Sequence, residues 1–269
     1  MAEDKNLEKK MEEPSDEKSD EDILESEAPY GLMSRIIGIF IEPGKAFSRI
    51  AEKPEIWGAV LFTFFILLVS SLLTMSKLVD LAVQTTTDML ADKGMPTEAM
   101  EKVITWTEWG TKFQSISSLI TVVVIWLIFA LFVYIVGLIM GQEANYKSSL
   151  AVVAYSSLPG VLIKQGIIST AMLISRDWSS ATDFQLAVMR GSLSLYTLFG
   201  NTDMNAHLQA FLSMIDPFLI WSIILMVIGL KYANRTKMSG AWTTTIIAYI
   251  LYLAALVPLT AMGISKLNA

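Results

Sequence analysis

Five long apolar runs constrain the fold of this chain more than any other feature of its sequence. A helix needs ~20 apolar residues to cross the ~30 Å hydrocarbon layer of a membrane. Residues 57–75, 116–140 and 241–262 meet this requirement without a charged residue. Charged residues make up 17% of the chain, against about 25% in a soluble domain. We therefore predict an all-α, polytopic (multi-pass) membrane protein.

Two further runs, 149–174 and 211–230, carry interruptions. The first contains Pro159 and Lys164, and the second contains Asp216 next to a proline. Both runs are too long and too apolar for loops, and proline is tolerated in membrane helices where neighbours satisfy the freed carbonyl. Counting both as spans gives five transmembrane helices.

The acidic character of the chain is confined to residues 1–28. This segment holds twelve Asp and Glu residues against four Lys, a net charge of −8, so the remaining residues sum to +2. A segment without aromatics and with few aliphatics cannot bury enough surface to fold. We predict a disordered acidic cytoplasmic tail followed by a membrane domain over 29–269. No basic stripe is present to bind nucleic acid.

Residues 30–53 have an amphipathic pattern that is interrupted at Pro43. The pattern predicts two short helices at the level of the lipid headgroups. Their basic side chains are expected to reach anionic lipid, which makes lipid recognition a third, weaker functional hypothesis. These membrane-surface residues are Arg35, Lys45, Arg49 and Lys53.

The distribution of Lys and Arg near the spans predicts the orientation of the chain. Basic residues precede the first span, Lys147 lies in the second connection, and three more fill the fourth connection: Lys231, Arg235 and Lys237. These segments fall on one side only if there are five spans. We expect the N-terminus in the cytoplasm and the C-terminus outside.

Two long connections, 76–115 and 175–210, are expected on the outer side. In the first, Pro96 marks a helix start, and three aromatic residues on one helical face are typical of an interfacial belt: Trp106, Trp109 and Phe113. The second is expected to form short surface helices. Ligand recognition by these connections is a minority interpretation.

The chain offers little catalytic chemistry. It has no cysteine and a single histidine, His207, so neither a zinc motif nor a histidine-based triad is expected. Residues 38–45 have the wrong spacing for a phosphate loop. Gly137 and Gly141 form a GxxxG pair that permits close helix packing. We predict no enzyme activity, no cofactor and no metal.

Lys164 and Asp216 stand out because each is an ionisable residue within a predicted span. Lys164 lies about fifteen residues into the third span, and Asp216 about six residues into the fourth, so both fall in the outer half of the bilayer. An ionisable group there costs ~2.5 kcal/mol or more unless it is paired or hydrated. Three interpretations remain: independent snorkelling and capping, a buried ion pair, or an ion pathway.

Three segments together resemble the Yip family, the five-span Ypt/Rab-interacting membrane proteins and their prokaryotic relatives. The first is the amphipathic stretch with Pro43 and Phe47. The second is AYSSLPG, which contains Tyr155 and Pro159. The third begins at Asp216 and continues with family-spaced residues at Phe218, Trp221, Leu225 and Gly229. A basic turn before the fifth span completes the resemblance, which covers roughly residues 32–262.

The resemblance implies a membrane adaptor for trafficking or membrane organisation rather than an enzyme. Only Tyr30 and Gly31 echo the N-terminal motif of eukaryotic members, and the outer connections are long. These differences favour the prokaryotic branch, in the plasma membrane, without a Rab-binding role. Expected partners are the lipid bilayer and membrane proteins, either an ABC-type export system or the chain itself. The alternative is a small transporter or channel that uses Lys164 and Asp216.

Overall fold

The computed structural model describes residues 31–175, 193–201 and 203–267, together with positions 178, 180, 183, 184, 186 and 187. These residues are predominantly helical, and no strand occurs among them. The predicted all-α class is confirmed. The predicted tail over residues 1–28 lies outside the described residues.

Two short helices precede the first span, α1 (Leu32–Ile41) and α2 (Pro43–Glu52). Proline opens α2 at no cost in hydrogen bonding, since the first N–H of a helix has no partner within the helix. The apolar faces of both helices turn inward, and Ile39, Phe47 and Ile50 are fully buried. The amphipathic pattern thus folds onto the membrane bundle.

The next two helices, α3 (Trp57–Asp92) and α4 (Thr97–Ile139), form an antiparallel hairpin. Their 36 and 43 residues correspond to lengths of ~54 and ~64 Å. The predicted connection over 76–115 is helical, since α3 and α4 continue unbroken to a short turn between them. Leu81 and Leu90 are buried along the extension of α3 and hold it in place.

The third span is a composite of α5 (Tyr146–Ser156), a π-helical segment (Gly160–Ser169) and α6 (Thr170–Ser175). Asn145 caps α5, where its side-chain oxygen accepts from the backbone N–H of Lys147 at 2.9 Å. All residues from Ser148 to Ser156 are buried, so α5 lies at the centre of the bundle.

The fourth span is broken, and the fifth is continuous. A short helix α7 (Leu195–Phe199) leads to α8 (Ala206–Met214) and α9 (Pro217–Ala233), which are bent by 57°, and α10 (Met238–Leu267) follows. The described residues provide four helices long and apolar enough to cross a membrane, and a fifth when α8 and α9 count as one bent span. This agrees with a multi-pass architecture.

A polar cluster ties two connections together at one end of the bundle. Gln142 Nε2 donates to Gly240 O at 3.1 Å and to Thr244 Oγ1 at 2.7 Å. Asn234 Nδ2 donates to Gln142 Oε1 at 2.8 Å. The α4–α5 and α9–α10 connections therefore lie together, at the end where α1 and α2 enter the bundle. We call this the inner end, and the end with the α3–α4 turn the outer end.

Candidate functional site

The break in the fourth span is built around Asp216. The prediction placed this residue about six residues into the interrupted fourth span, and the structure places it at the N-cap of α9, between two helices. Pro217 lacks the N–H that a continuous helix needs. The carbonyl of Ile215, freed by the break, accepts from the N–H of Leu195 at 2.9 Å. Asp216 Oδ1 accepts from the N–H of Leu219 at 2.8 Å.

The π-helical segment of the third span carries Lys164 to this break. The segment begins directly after Pro159, and Gly160 lies beside Phe218 of α9, where a Cβ would make an ordinary contact at 3.9 Å. Gly166 lets α3 approach closely, because a Cβ there would lie 2.6 Å from Ile66 Cγ2. π-Helical turns are rare and occur often at functional sites.

The structure brings Lys164 and Asp216 into direct contact. Lys164 Nζ donates to Asp216 Oδ2, while the other carboxylate oxygen caps α9. The two side chains differ in burial: that of Asp216 is 4% exposed and that of Lys164 is 34% exposed. The carboxylate is therefore held inside the bundle, and the lysine reaches it from a partly open position.

This arrangement combines the first two interpretations of the pair, because the aspartate caps a helix and also binds the lysine. A buried carboxylate is costly unless a cation and hydrogen bonds compensate it, and Asp216 has both. The pair joins the third and fourth spans where each departs from regular α-helix. Broken helices near paired charges are also a feature of ion-coupled transporters.

Sequence reasoning missed a row of polar residues on α3 beside this site. Ser70 Oγ and Thr170 Oγ1 lie 2.5 Å apart, Thr74 Oγ1 donates to the carbonyl of Ser70 at 2.7 Å, and Lys77 Nζ lies 3.5 Å from the carbonyl of Ile174. The spacing of 70, 74 and 77 places all three on one helical face. That spacing was visible in the sequence, but it runs past the end of the predicted span.

The family-motif residue Gly229 lies at the inner end, where α2 docks onto the bundle. A Cβ at this position would lie 2.6 Å from Val152 Cγ1 and 2.8 Å from Phe47 Cδ1. The missing side chain lets the buried Phe47 ring pack between α5 and α9. The resemblance gave these residues no role, and the structure makes them parts of one helix-packing contact.

The other motif residues also make packing contacts. The Tyr155 hydroxyl fills the space above Gly58, where a Cβ would lie 2.3 Å away. Trp221 meets Phe40 of α1 edge to face, with ring centroids 5.8 Å apart. Phe218 faces Gly160, as described above. These contacts fix α1, α3 and α9 around the buried α5.

The four basic residues of the inner end do not form a uniform surface. The structure contradicts the placement of Arg35 at the lipid surface: it is buried, with its guanidinium 3.5 Å from the carboxylate of Glu55. Lys45 and Lys53 are exposed, and Arg49 is half-buried. The Lys53 ammonium, 3.1 Å from Glu55, holds the pKa of this carboxyl below its usual value.

His207 is exposed near the start of α8. Within the part of the chain that the structure describes, no group of three or more His, Cys, Asp or Glu residues lies close enough to hold a metal ion. Among the ion pairs of the described residues, Lys164–Asp216 contains the most buried carboxylate.

The extension of the α3–α4 hairpin exposes large aromatic side chains. Trp106, Trp109 and Phe113 are 78%, 66% and 71% exposed. The predicted apolar run of α4 begins at residue 116, so Trp106 and Trp109 precede it by ~15 and ~10 Å along the helix axis. That these residues form an interfacial belt stays a prediction.

Comparison with known proteins supports the family resemblance. The sequence pattern of the Yip1 domain matches residues 37–262. The membrane protein YknW of Bacillus subtilis (strain 168) is 25% identical over 217 residues, which cover 80% of this chain and 84% of YknW. No solved structure matches the chain significantly. The matched region includes the ion pair, the inner packing contacts and the outer hairpin.

Proposed function

This chain belongs to the Yip1 domain family, and from that premise we propose that it is a non-enzymatic membrane adaptor acting through membrane-protein partners. The proposed setting is a prokaryotic plasma membrane, with the N-terminus in the cytoplasm and the C-terminus outside. Its partners are proposed to belong to an export or trafficking system, an ABC-type transporter being one candidate. The basic connections at the inner end support this orientation.

The outer hairpin is the observation that carries this proposal. α3 and α4 are longer than the hydrocarbon layer is thick, and the outer part of α4 exposes two tryptophans and a phenylalanine on its surface. Exposed apolar patches of this kind mark interaction sites, and tryptophan is enriched among residues that dominate binding energy. A rigid apolar projection is suited to contact the outer domain of another membrane protein.

The proposal is tested by crosslinking in native membranes, mild-detergent purification and mass spectrometry. The test variant is Trp106→Ser/Trp109→Ser, and the matched control is Leu198→Ser/Phe199→Ser, two similarly exposed residues on α7. We expect the native chain and the control to retain a stoichiometric membrane-protein partner that the test variant loses. Recovery of no partner with the native chain, or equal recovery with both variants, contradicts the proposal.

The second candidate function is a small transporter or channel. It is favoured by the Lys164–Asp216 pair, which lies where the π-helical segment meets the broken span. Under this hypothesis, Lys164→Met or Asp216→Asn abolishes flux in proteoliposomes while folded protein persists. If the chain is an adaptor, it shows no flux in proteoliposomes, and the same substitutions lower its stability instead.

Lipid binding at the inner end is proposed as an accessory property of the adaptor. Lys45, Arg49 and Lys53 lie on α2 and directly after it, and a basic residue near an anionic surface contributes about 1 kcal/mol. We expect salt-sensitive binding of the purified chain to phosphatidylglycerol liposomes. The variant Lys45→Gln/Lys53→Gln is expected to bind less, whereas Lys237→Gln in the α9–α10 connection serves as a control.

A further inference from the structure

The exposed face of α4 carries a seven-residue repeat that extends from the outer hairpin into the membrane. The repeat has two rows. The first row is Ala99, Trp106, Phe113, Ile120 and Leu127, and the second is Val103, Gly110, Ser117, Val124 and Leu131. A strict seven-residue repeat is the pattern of helices that pair and supercoil to the left. We call these two rows the α4 seam.

The described residues of the chain do not cover the α4 seam. Its large side chains toward the outer end, Trp106 and Phe113, are mostly exposed, whereas Leu81 and Leu90 of α3 are buried. Within the membrane, lipid can cover Ile120 and the residues that follow it. Beyond the hydrocarbon layer, another protein can cover Trp106 and Phe113.

Gly110 is a second, independent feature of the seam. A Cβ at Gly110 would meet nothing within 4 Å, so no packing among the described residues requires a glycine there. Glycine in a helix interior costs roughly 0.5–1 kcal/mol relative to alanine. Small residues between large ones allow the backbone of a second helix to approach closely. Gly110 and Ser117, alternating with Trp106 and Phe113, form this pattern.

We propose that the α4 seam is the interface of a parallel dimer, in which α4 of one copy pairs with α4 of a second copy. This inference rests on the proposed function, because that proposal takes the outer hairpin as a binding surface. It adds that the molecule bound to the seam is a second copy of the chain. Two copies in one membrane have the same orientation and depth, so their seams meet in register. Gly110 then faces Gly110, and the large residues meet in separate layers.

The charges around the seam are compatible with a second copy. The positions that flank it in the hairpin include Met100, Thr107, Trp109 and Gln114, which carry no charge, and a single Lys102. The acidic residues of this part of α4 lie on other faces of the helix: Glu98, Glu101 and Glu108. Like charges therefore do not meet across a parallel pair.

The area of the seam is adequate for a stable pair. A fully covered aromatic side chain buries about 150–250 Å², so the exposed parts of Trp106, Trp109 and Phe113 offer on the order of 300–500 Å² per copy. A standard interface buries about 800 Å² per partner. The membrane half of the seam, from Ile120 onward, supplies the remainder.

The absence of cysteine in the chain makes disulfide crosslinking a direct test. Single cysteines are introduced in the full chain at Gly110→Cys and Ser117→Cys on the seam, and at Glu101→Cys and Thr105→Cys off it. Native membranes are treated with copper phenanthroline, and thiol labelling checks that all four positions are accessible. We expect a product at twice the 29.8 kDa chain mass for the two seam positions and little for the others.

A charge on the seam provides the second variant. In the Ser117→Cys background, Gly110→Glu places two carboxylates face to face and is expected to lower the crosslinked fraction by roughly fivefold or more. Thr105→Glu in the same background is expected to leave the crosslinked fraction unchanged.

Three outcomes overturn the dimer: no crosslink at any position, equal crosslinking at all four, or a crosslinked product that mass spectrometry identifies as another membrane protein. The last outcome leaves the adaptor proposal intact, because a partner then occupies the seam. Conversely, suppose that the dimer forms only at the seam positions and that purification recovers no other membrane protein. This outcome supports the dimer and contradicts the adaptor proposal.

Discussion

The inner and outer ends of this bundle are built on opposite principles. At the inner end, α1 and α2 bury their apolar faces against α5 and α9, and small residues are placed where neighbours need room. At the outer end, α3 and α4 form a simple hairpin that leaves large aromatic residues exposed. The inner end is completed by the chain's own residues, whereas the outer end presents a surface that a partner would complete.

Two glycines, one at each end, illustrate the difference between the inner and outer ends. Gly229 at the inner end is surrounded by Val152 and Phe47, and Gly110 at the outer end faces open space. One glycine is required by packing within the chain. The other has no such requirement, so substitutions at the two positions test the comparison directly.

The largest expected effect belongs to Gly229→Leu. The new side chain would overlap the Phe47 ring, and the helices around α5 would have to separate, at a cost of about 3 kcal/mol or more. We expect little folded protein by size-exclusion chromatography in detergent. Gly110→Leu is the matched control and is expected to raise the stability of the monomeric chain by about 0.5–1 kcal/mol, because leucine is the better helix former. Equal destabilisation by both would contradict the distinction between the two ends.

The next effect concerns the ion pair that lies between the two ends. Lys164→Met leaves the buried Asp216 carboxylate without a cation and is expected to cost about 2 kcal/mol, less than for a fully buried pair because Lys164 is partly exposed. Asp216→Asn is expected to cost less, since the lysine can turn toward the lipid headgroups.

The double variant Lys164→Met/Asp216→Asn provides the control for this pair. Because it leaves no unpaired charge, it is expected to recover most of the stability lost by Lys164→Met. Thermal unfolding of the native chain, the two single variants and the double variant in one detergent gives the coupling free energy between the two residues. Additive losses in the double variant would show that the two residues act independently.

The sequence predicted the helical membrane class because apolar runs of ~20 residues have few alternatives. It also predicted the start of α4 at Pro96 and an interruption near Pro217. It missed the continuity of α3 and α4 outside the membrane, because hydropathy falls there while helical packing between the two continues. The burial of Arg35 depends on Glu55, twenty residues away in sequence, and local patterns carry no signal of such a contact.

The polar cluster of the inner end gives a smaller effect. Gln142→Leu removes the partner of the Asn234 amide, which is 1% exposed, and leaves that group unsatisfied at a cost of about 1–2 kcal/mol. Glu143→Ala removes only an exposed contact to Arg235 and is expected to change stability by less than about 0.5 kcal/mol. Thermal unfolding compares the two variants. A larger loss for Glu143→Ala would show that the connections are held by surface charge rather than by the buried amides.

The smallest expected effect is the pH dependence contributed by Glu55. Its carboxylate accepts from Lys53 and lies near Arg35, so its pKa in the folded chain is lowered. A lowered pKa means that the contribution is present above the unfolded-state pKa of about 4.3 and is lost as the pH falls through the folded-state value. Glu55→Gln is therefore expected to be slightly less stable than the native chain at pH 7, and the difference should disappear as the pH falls through the folded-state pKa. Because other carboxyls titrate in this range, the measured quantity is the difference in unfolding temperature between the two forms at each pH. If the difference in unfolding temperature persists unchanged at low pH, Glu55 acts through its shape rather than its charge. The link between α1 and the start of α3 would then depend on packing alone.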